Sequence, residues 1–153
     1  MKKKKINRAV SRVTVINLTR RRIPETRLIR RIIKKVFESE RESPEGLTVT
    51  YVTDAQIKKL NLEYRGRERL TDVLAFSARE GREIEGSRGY LGDIVISLDA
   101  ARRQAKRFGS TIKRELKLYL IHGALHLLGY DDETGQDALR EMREAEEALI
   151  GKV

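Results

Sequence analysis

Apolar residues recur along this chain at two different periods, and the switches between them mark out nine elements. Val10 to Leu18 alternates and is rich in Val, Thr and Ile, which predicts a strand. After Pro24, a residue suited to a first helical turn, Leu28, Ile29, Ile32, Ile33, Val36 and Phe37 return at helical spacing to about Glu42. Arg30, Arg31, Lys34 and Lys35 fill the other face of that helix. Gly46 to Val52 alternates again, a second strand, and Thr53-Asp54-Ala55-Gln56 has the form of a capping box opening a short helix through Leu60 and Leu62. Asp72 to Ser77 and Asp93 to Leu98 are compact apolar runs and read as buried strands. Between them Arg79 to Gly89, rich in Gly and charge, reads as a loop or long hairpin.

The last third is helical. Asp99 to Phe108 stops at Gly109, and Ser110 can cap a long helix with Ile112, Leu116, Tyr119, Leu120, Leu127 and Leu128 on its apolar face. That helix lacks the charge of a surface helix and should be buried against the sheet. A final helix from about Gly135 to Ile150 places Leu139, Met142, Ala145 and Leu149 on one side. The order β-α-β-α-β-β-α-α-α predicts an α+β fold, helices packed on a mixed sheet of about four strands. At 153 residues one core is expected, so residues 1–153 read as a single domain with a basic arm at about 1–9.

Charge adds a partner. Lys and Arg number 33 against 23 Asp and Glu, a net charge of +10. Residues 1–35 hold 14 of the cations and a single acid, Glu25, whereas residues 131–153 hold eight acids and three bases. A basic N-terminal third favours a polyanion, nucleic acid above all. The chain has no cysteine, which excludes disulfide-linked partners, thiolate metal sites and cysteine nucleophiles. No apolar run approaches a membrane span, and no apolar segment follows the signal-like Lys2 to Lys5. A cytoplasmic protein is expected.

The chemistry concentrates in Ile121-His122-Gly123-Ala124-Leu125-His126-Leu127-Leu128-Gly129-Tyr130-Asp131-Asp132, which contains the chain's two histidines. Positions i and i+4 stack on one helix face, so both imidazoles can address one ion. Gly129 suits the left-handed residue that ends a helix, and the chain can then return Asp132 as a third ligand. Two His and one carboxylate form a ligand set for catalytic zinc with a position left for water. A buried, hydrogen-bonded histidine pair without an ion is the competing reading; the glycine stop and the carboxylate beyond it favour the ion. The spacing matches that of metzincin proteases except at Gly123, where those enzymes carry a glutamate as general base. Peptide hydrolysis is disfavoured for that reason, with Asp131 and Glu133 the nearest carboxylates that could take a proton. Phosphodiester hydrolysis fits better, because Asn61-Leu62-Glu63-Tyr64-Arg65-Gly66-Arg67 supplies cations for phosphoryl oxygens.

Taken together, Asn61-x2-Tyr64-Arg65, Leu70 to Ser77, Leu91 to Ser97 and His122-Gly123-x-Leu125-His126-Leu127-x-Gly129-Tyr130-Asp131 resemble the YbeY family of bacterial endoribonucleases, over residues 45 to 135. The resemblance implies metal-dependent cleavage of single-stranded RNA in the cytoplasm. It also implies ribosomal RNA processing, notably at the 3′ end of 16S ribosomal RNA, ribosome quality control, and hence a ribosome or small-subunit partner. It carries zinc ligation to His122 and His126 and a catalytic or phosphate-binding role to Arg65. The family's third ligand is usually histidine, and Asp132 stands there in this chain. Arg67 and Tyr130 are further candidates for holding substrate, Tyr130 by stacking on a base or else by packing beneath the metal loop. Thr71, Asp72 and Asp93 lie in the shared motifs; the two aspartates open predicted strands and could equally cap loops. A non-catalytic RNA or ribosome assembly factor with a structural metal is the alternative from another class.

Overall fold

The computed structural model describes residues 12–66, 71–78 and 89–153. Its elements follow the predicted order: β1 (Arg12–Asn17), α1 (Thr26–Ser39), β2 (Gly46–Val52), α2 (Asp54–Arg65), β3 (Val73–Ser77), β4 (Tyr90–Ser97), α3 (Leu98–Phe108), α4 (Ile112–Leu127) and α5 (Gln136–Ile150). The strands form one sheet in the order β1-β2-β4-β3. β1 and β4 run parallel to β2, and β3 runs antiparallel to β4 at one edge. The fold is therefore α+β on a mixed sheet, four-stranded among the described residues. The basic arm at 1–9, Arg67 and most of the loop expected over Arg79 to Gly89 lie outside the described residues.

Strand alternation divides the core between the two faces of the sheet. Leu47, Val49, Tyr51, Ile94 and Ile96 face α1 and α4, together with Ile29, Ile32, Ile33, Val36 and Phe37 of α1. Val52, Leu74 and Val95 face Ile57 of α2 on the other side. Each such aliphatic side chain removed from water contributes roughly 1.5–3 kcal/mol before chain entropy is subtracted. Helix α4 lies at the centre, touching β3, β4, α1, α3 and α5, as its low charge predicted.

Several boundaries differ from those expected, each for a local reason. Thr111, not Ser110, caps α4: its Oγ1 accepts the Arg114 N–H at 3.1 Å. Ser110 instead donates its backbone N–H to Ala105 O and closes α3. Ile112 consequently sits at the exposed start of α4 rather than on its buried face. Pro24 precedes the N-cap of α1, Glu25, instead of entering the first turn. β4 begins at Tyr90, so Asp93 sits within the strand instead of opening it.

Gly123 explains how closely α4 approaches the sheet. A Cβ there would lie 2.5 Å from Ile94 Cγ2, and Ile94 is fully buried. The helix rests on β4 through this glycine, which leaves no room for the glutamate that a metzincin would carry.

Candidate functional site

His122 and His126 project from the last turns of α4, one turn apart, with ring centroids 4.6 Å from each other. The helix then ends in paired C-terminal hydrogen bonds: Gly129 N–H to His126 O at 3.0 Å and Tyr130 N–H to Leu125 O at 3.1 Å. Gly129 has a φ of 103°, in the region that a side chain disfavours, and this reverses the chain. Asp131 Oδ1 accepts the Glu133 N–H at 2.8 Å and holds the following turn. Asp132 is thereby returned to the histidines, Oδ1 at 3.4 Å from His126 Nε2 and Oδ2 at 3.6 Å from His122 Nε2.

These separations suit a metal. One donor atom from each of His122, His126 and Asp132 lies within 4.8 Å of the other two. Donors placed tetrahedrally around zinc at about 2.1 Å stand about 3.4 Å from each other, so small adjustments would seat an ion. Among the described residues these three are the His, Cys, Asp or Glu side chains so arranged. Burial, reinforced by the neighbouring His122, lowers the pKa of His126 and favours its neutral, metal-binding form; Asp132 and Asp131 act in the opposite sense.

Glu146 of α5 completes the arrangement, its Oε1 hydrogen-bonded to His122 Nδ1. A carboxylate only accepts, so Nδ1 carries the proton and Nε2 keeps its lone pair on the Asp132 side. Nothing near the histidines in sequence pointed to Glu146. Its available signal was an acid four residues after Met142 and three before Leu149, on the buried stripe of α5.

The cluster opens into a cleft of about 1030 Å³ that also borders Asn61, Tyr64, Arg65, Thr71, Asp72 and strand β3. Arg65, the last residue of α2, reaches the edge strand and donates from Nη2 to Ala75 O at 3.1 Å. Its guanidinium carbon lies 5.9 Å from the Phe76 ring centroid. The charge of Arg65 is felt at His126, where it disfavours protonation. An anion entering the cleft thus meets both a guanidinium and the histidine cluster.

Comparison with known proteins bears on what this cleft is. A family model described as Endoribonuclease YbeY matches residues 14–153. The chain belongs to the endoribonuclease YbeY family. It is 42% identical over 131 residues to the Endoribonuclease YbeY of Desulforamulus reducens, covering 83% of this chain and 85% of that relative. It is 43% identical over 104 residues to that of Aquifex aeolicus, covering 67% of each. The solution structure of a Thermotoga maritima protein superposes with a TM-score of 0.59 at 27% identity, over 91% of this chain and 87% of that one. Membership makes the protein an enzyme, a hydrolytic nuclease.

The structure sorts the remaining motif residues. Asp72 lines the cleft, its backbone O accepting the Ser97 N–H at 2.9 Å, and burial raises the pKa of its carboxyl. Asp93 does not join the site: its neighbour Ile94 faces Gly123 of α4, so Asp93 faces the other side of the sheet. There Asp93 accepts from the Tyr90 hydroxyl at 3.2 Å. Tyr130 borders the cleft, but its ring packs on the core and its hydroxyl donates to Glu40 Oε2 at 2.9 Å. That bond ties the loop after α4 to the end of α1. Among the described residues no helix is long and apolar enough to cross a membrane.

Proposed function

We propose that this chain, as one domain, uses a zinc ion held by His122, His126 and Asp132 to cleave single-stranded RNA. We place the reaction in the cytoplasm, in ribosomal RNA maturation that includes the 3′ end of 16S ribosomal RNA, and in ribosome quality control, with the ribosome or its small subunit as partner. One observation carries the reading: the His/His/Asp cluster opens into the same cleft as the Arg65 guanidinium. A bound zinc ion would supply Lewis acidity toward water and a phosphoryl oxygen.

The chain's own groups do the rest. Glu146 holds His122 with Nε2 toward Asp132. Arg65 uses one N–H on Ala75 O, which steadies the guanidinium so that its other N–H groups stabilise charge building on the phosphoryl oxygens. The exposed Arg27, Arg30, Arg31, Lys34 and Lys35 of α1 support a polyanionic substrate, which they attract without reading its sequence. A catalytic rather than purely structural ion is supported because, among the described residues, no fourth such side chain closes the cluster. The lack of space at Gly123 weighs against a peptidase.

Cleavage of a single-stranded oligoribonucleotide, before and after chelation and with zinc restored, tests this. Arg65→Ala should lower turnover by about two orders of magnitude while keeping its zinc. His122→Ala should lose stoichiometric zinc, and Asp132→His should retain it. Full-rate cleavage by chelated protein, or equal zinc in wild type and His122→Ala, would refute the proposal.

A further inference from the structure

Tyr64 occupies an unusual position for a large aromatic residue. It falls seven residues after Ile57, four after Leu60 and three after Asn61, on the stripe of α2 that packs against the sheet. At Tyr64 the stripe has reached the edge strand of the sheet, and the residue remains 68% exposed. It is nonetheless supported. Its ring meets that of Phe76 edge-on, centroids 5.4 Å apart at 61°, and Phe76 lies on the edge strand β3. Both rings border the cleft that holds His122 and His126, and the next residue after Tyr64 is Arg65.

We infer that Tyr64, braced by Phe76, is a nucleobase-stacking subsite for a single-stranded nucleotide whose phosphate is held by Arg65. The inference rests on the RNA-cleaving function proposed above and adds to it the element that reads strandedness. A nucleotide presents a flat apolar base and a phosphate one sugar apart, and consecutive residues at the end of α2 offer an aromatic ring and a guanidinium to match. In a duplex each base is covered on both faces by its neighbours, so such a ring has nothing to stack on; an unstacked base can use it fully. Tyr130, the aromatic residue that sequence alone suggested for this role, has its ring packed on the core and its hydroxyl bonded to Glu40. Tyr64 is the more open of the two.

The test is stopped-flow fluorescence of the full-length, zinc-loaded protein with a short single-stranded oligoribonucleotide carrying one 2-aminopurine, alongside steady-state cleavage. Wild type and Tyr64→Phe should quench the probe on binding, because the ring and not the hydroxyl does the stacking. Tyr64→Leu keeps apolar bulk but no ring. It should lose the quenching and weaken single-strand affinity roughly five- to a hundredfold, while its zinc content and its affinity for duplex RNA stay unchanged. Wild-type KM and quenching in Tyr64→Leu would overturn this inference alone, and so would an equal loss in Tyr64→Phe. A wild type that neither binds nor cleaves single-stranded RNA would overturn the proposed function along with it.

Discussion

Replacing Glu146 by alanine should weaken zinc binding without touching a ligand. Glu146 Oε1 is the hydrogen-bond partner of His122 Nδ1, with the side chains 21% and 25% exposed. Losing it frees the ring to rotate and to take the other tautomer, with its proton on Nε2 and no lone pair for the ion. Loss of such a partner behind a metal-binding histidine costs about ten- to a hundredfold in affinity, or roughly 1.4–2.7 kcal/mol. Because a quarter of the His122 side chain remains exposed, water can replace part of the lost bond, which places the expected effect nearer tenfold. Glu146→Gln keeps an acceptor oxygen and loses only the charge. Since charge-assisted bonds are about twice as strong as neutral ones, a loss of roughly threefold is expected. Competition against a chromophoric chelator near neutral pH measures the affinities, and long-range nitrogen–proton NMR of the imidazoles reports the tautomer. Wild-type zinc affinity in folded Glu146→Ala, with His122 still protonated at Nδ1, would refute the reasoning.

Two further outcomes follow from packing and burial. Gly123→Glu, which installs the base of a metzincin, places a Cβ 2.5 Å from Ile94 Cγ2 and a carboxylate in the core; at least ~3 kcal/mol of destabilisation is expected. That corresponds to about 6–12 °C in Tm, without peptidase activity, and an unchanged melting curve would show that α4 does not need this contact. Asp72 has a folded-state pKa above the usual 3.8 because burial disfavours its charge. The stability tied to its proton is therefore full in acid and is lost as pH rises through the folded pKa. Asp72→Asn, which mimics the neutral form, should raise Tm at neutral pH and leave it unchanged below pH 3.8; a fall in Tm at neutral pH would contradict this.

Features set by neighbours in the chain were readable from the sequence. The order of the elements among the described residues follows from hydrophobic period. The capping box at Thr53 and the helix stop at Gly129 follow from residues within a few positions of each other. The His122, His126 and Asp132 group was equally local, because one helix turn and one reversal bring the three together. Even local chemistry left ambiguity where two candidates stood side by side, as with Ser110 and Thr111 for the cap of α4. Tertiary structure decided whatever depends on residues meeting from distant segments. Glu146 reaches His122 only because α5 packs on α4. Asp93 is turned away from the site because the register of α4 on β4 commits Ile94 to Gly123. Arg65 and Tyr64 acquire their places from the antiparallel strand β3 at the sheet edge, which supplies Ala75 O and the Phe76 ring. A period of 3.6 or 2 tells which way a side chain faces relative to its own element, while its partner is chosen by how the elements pack.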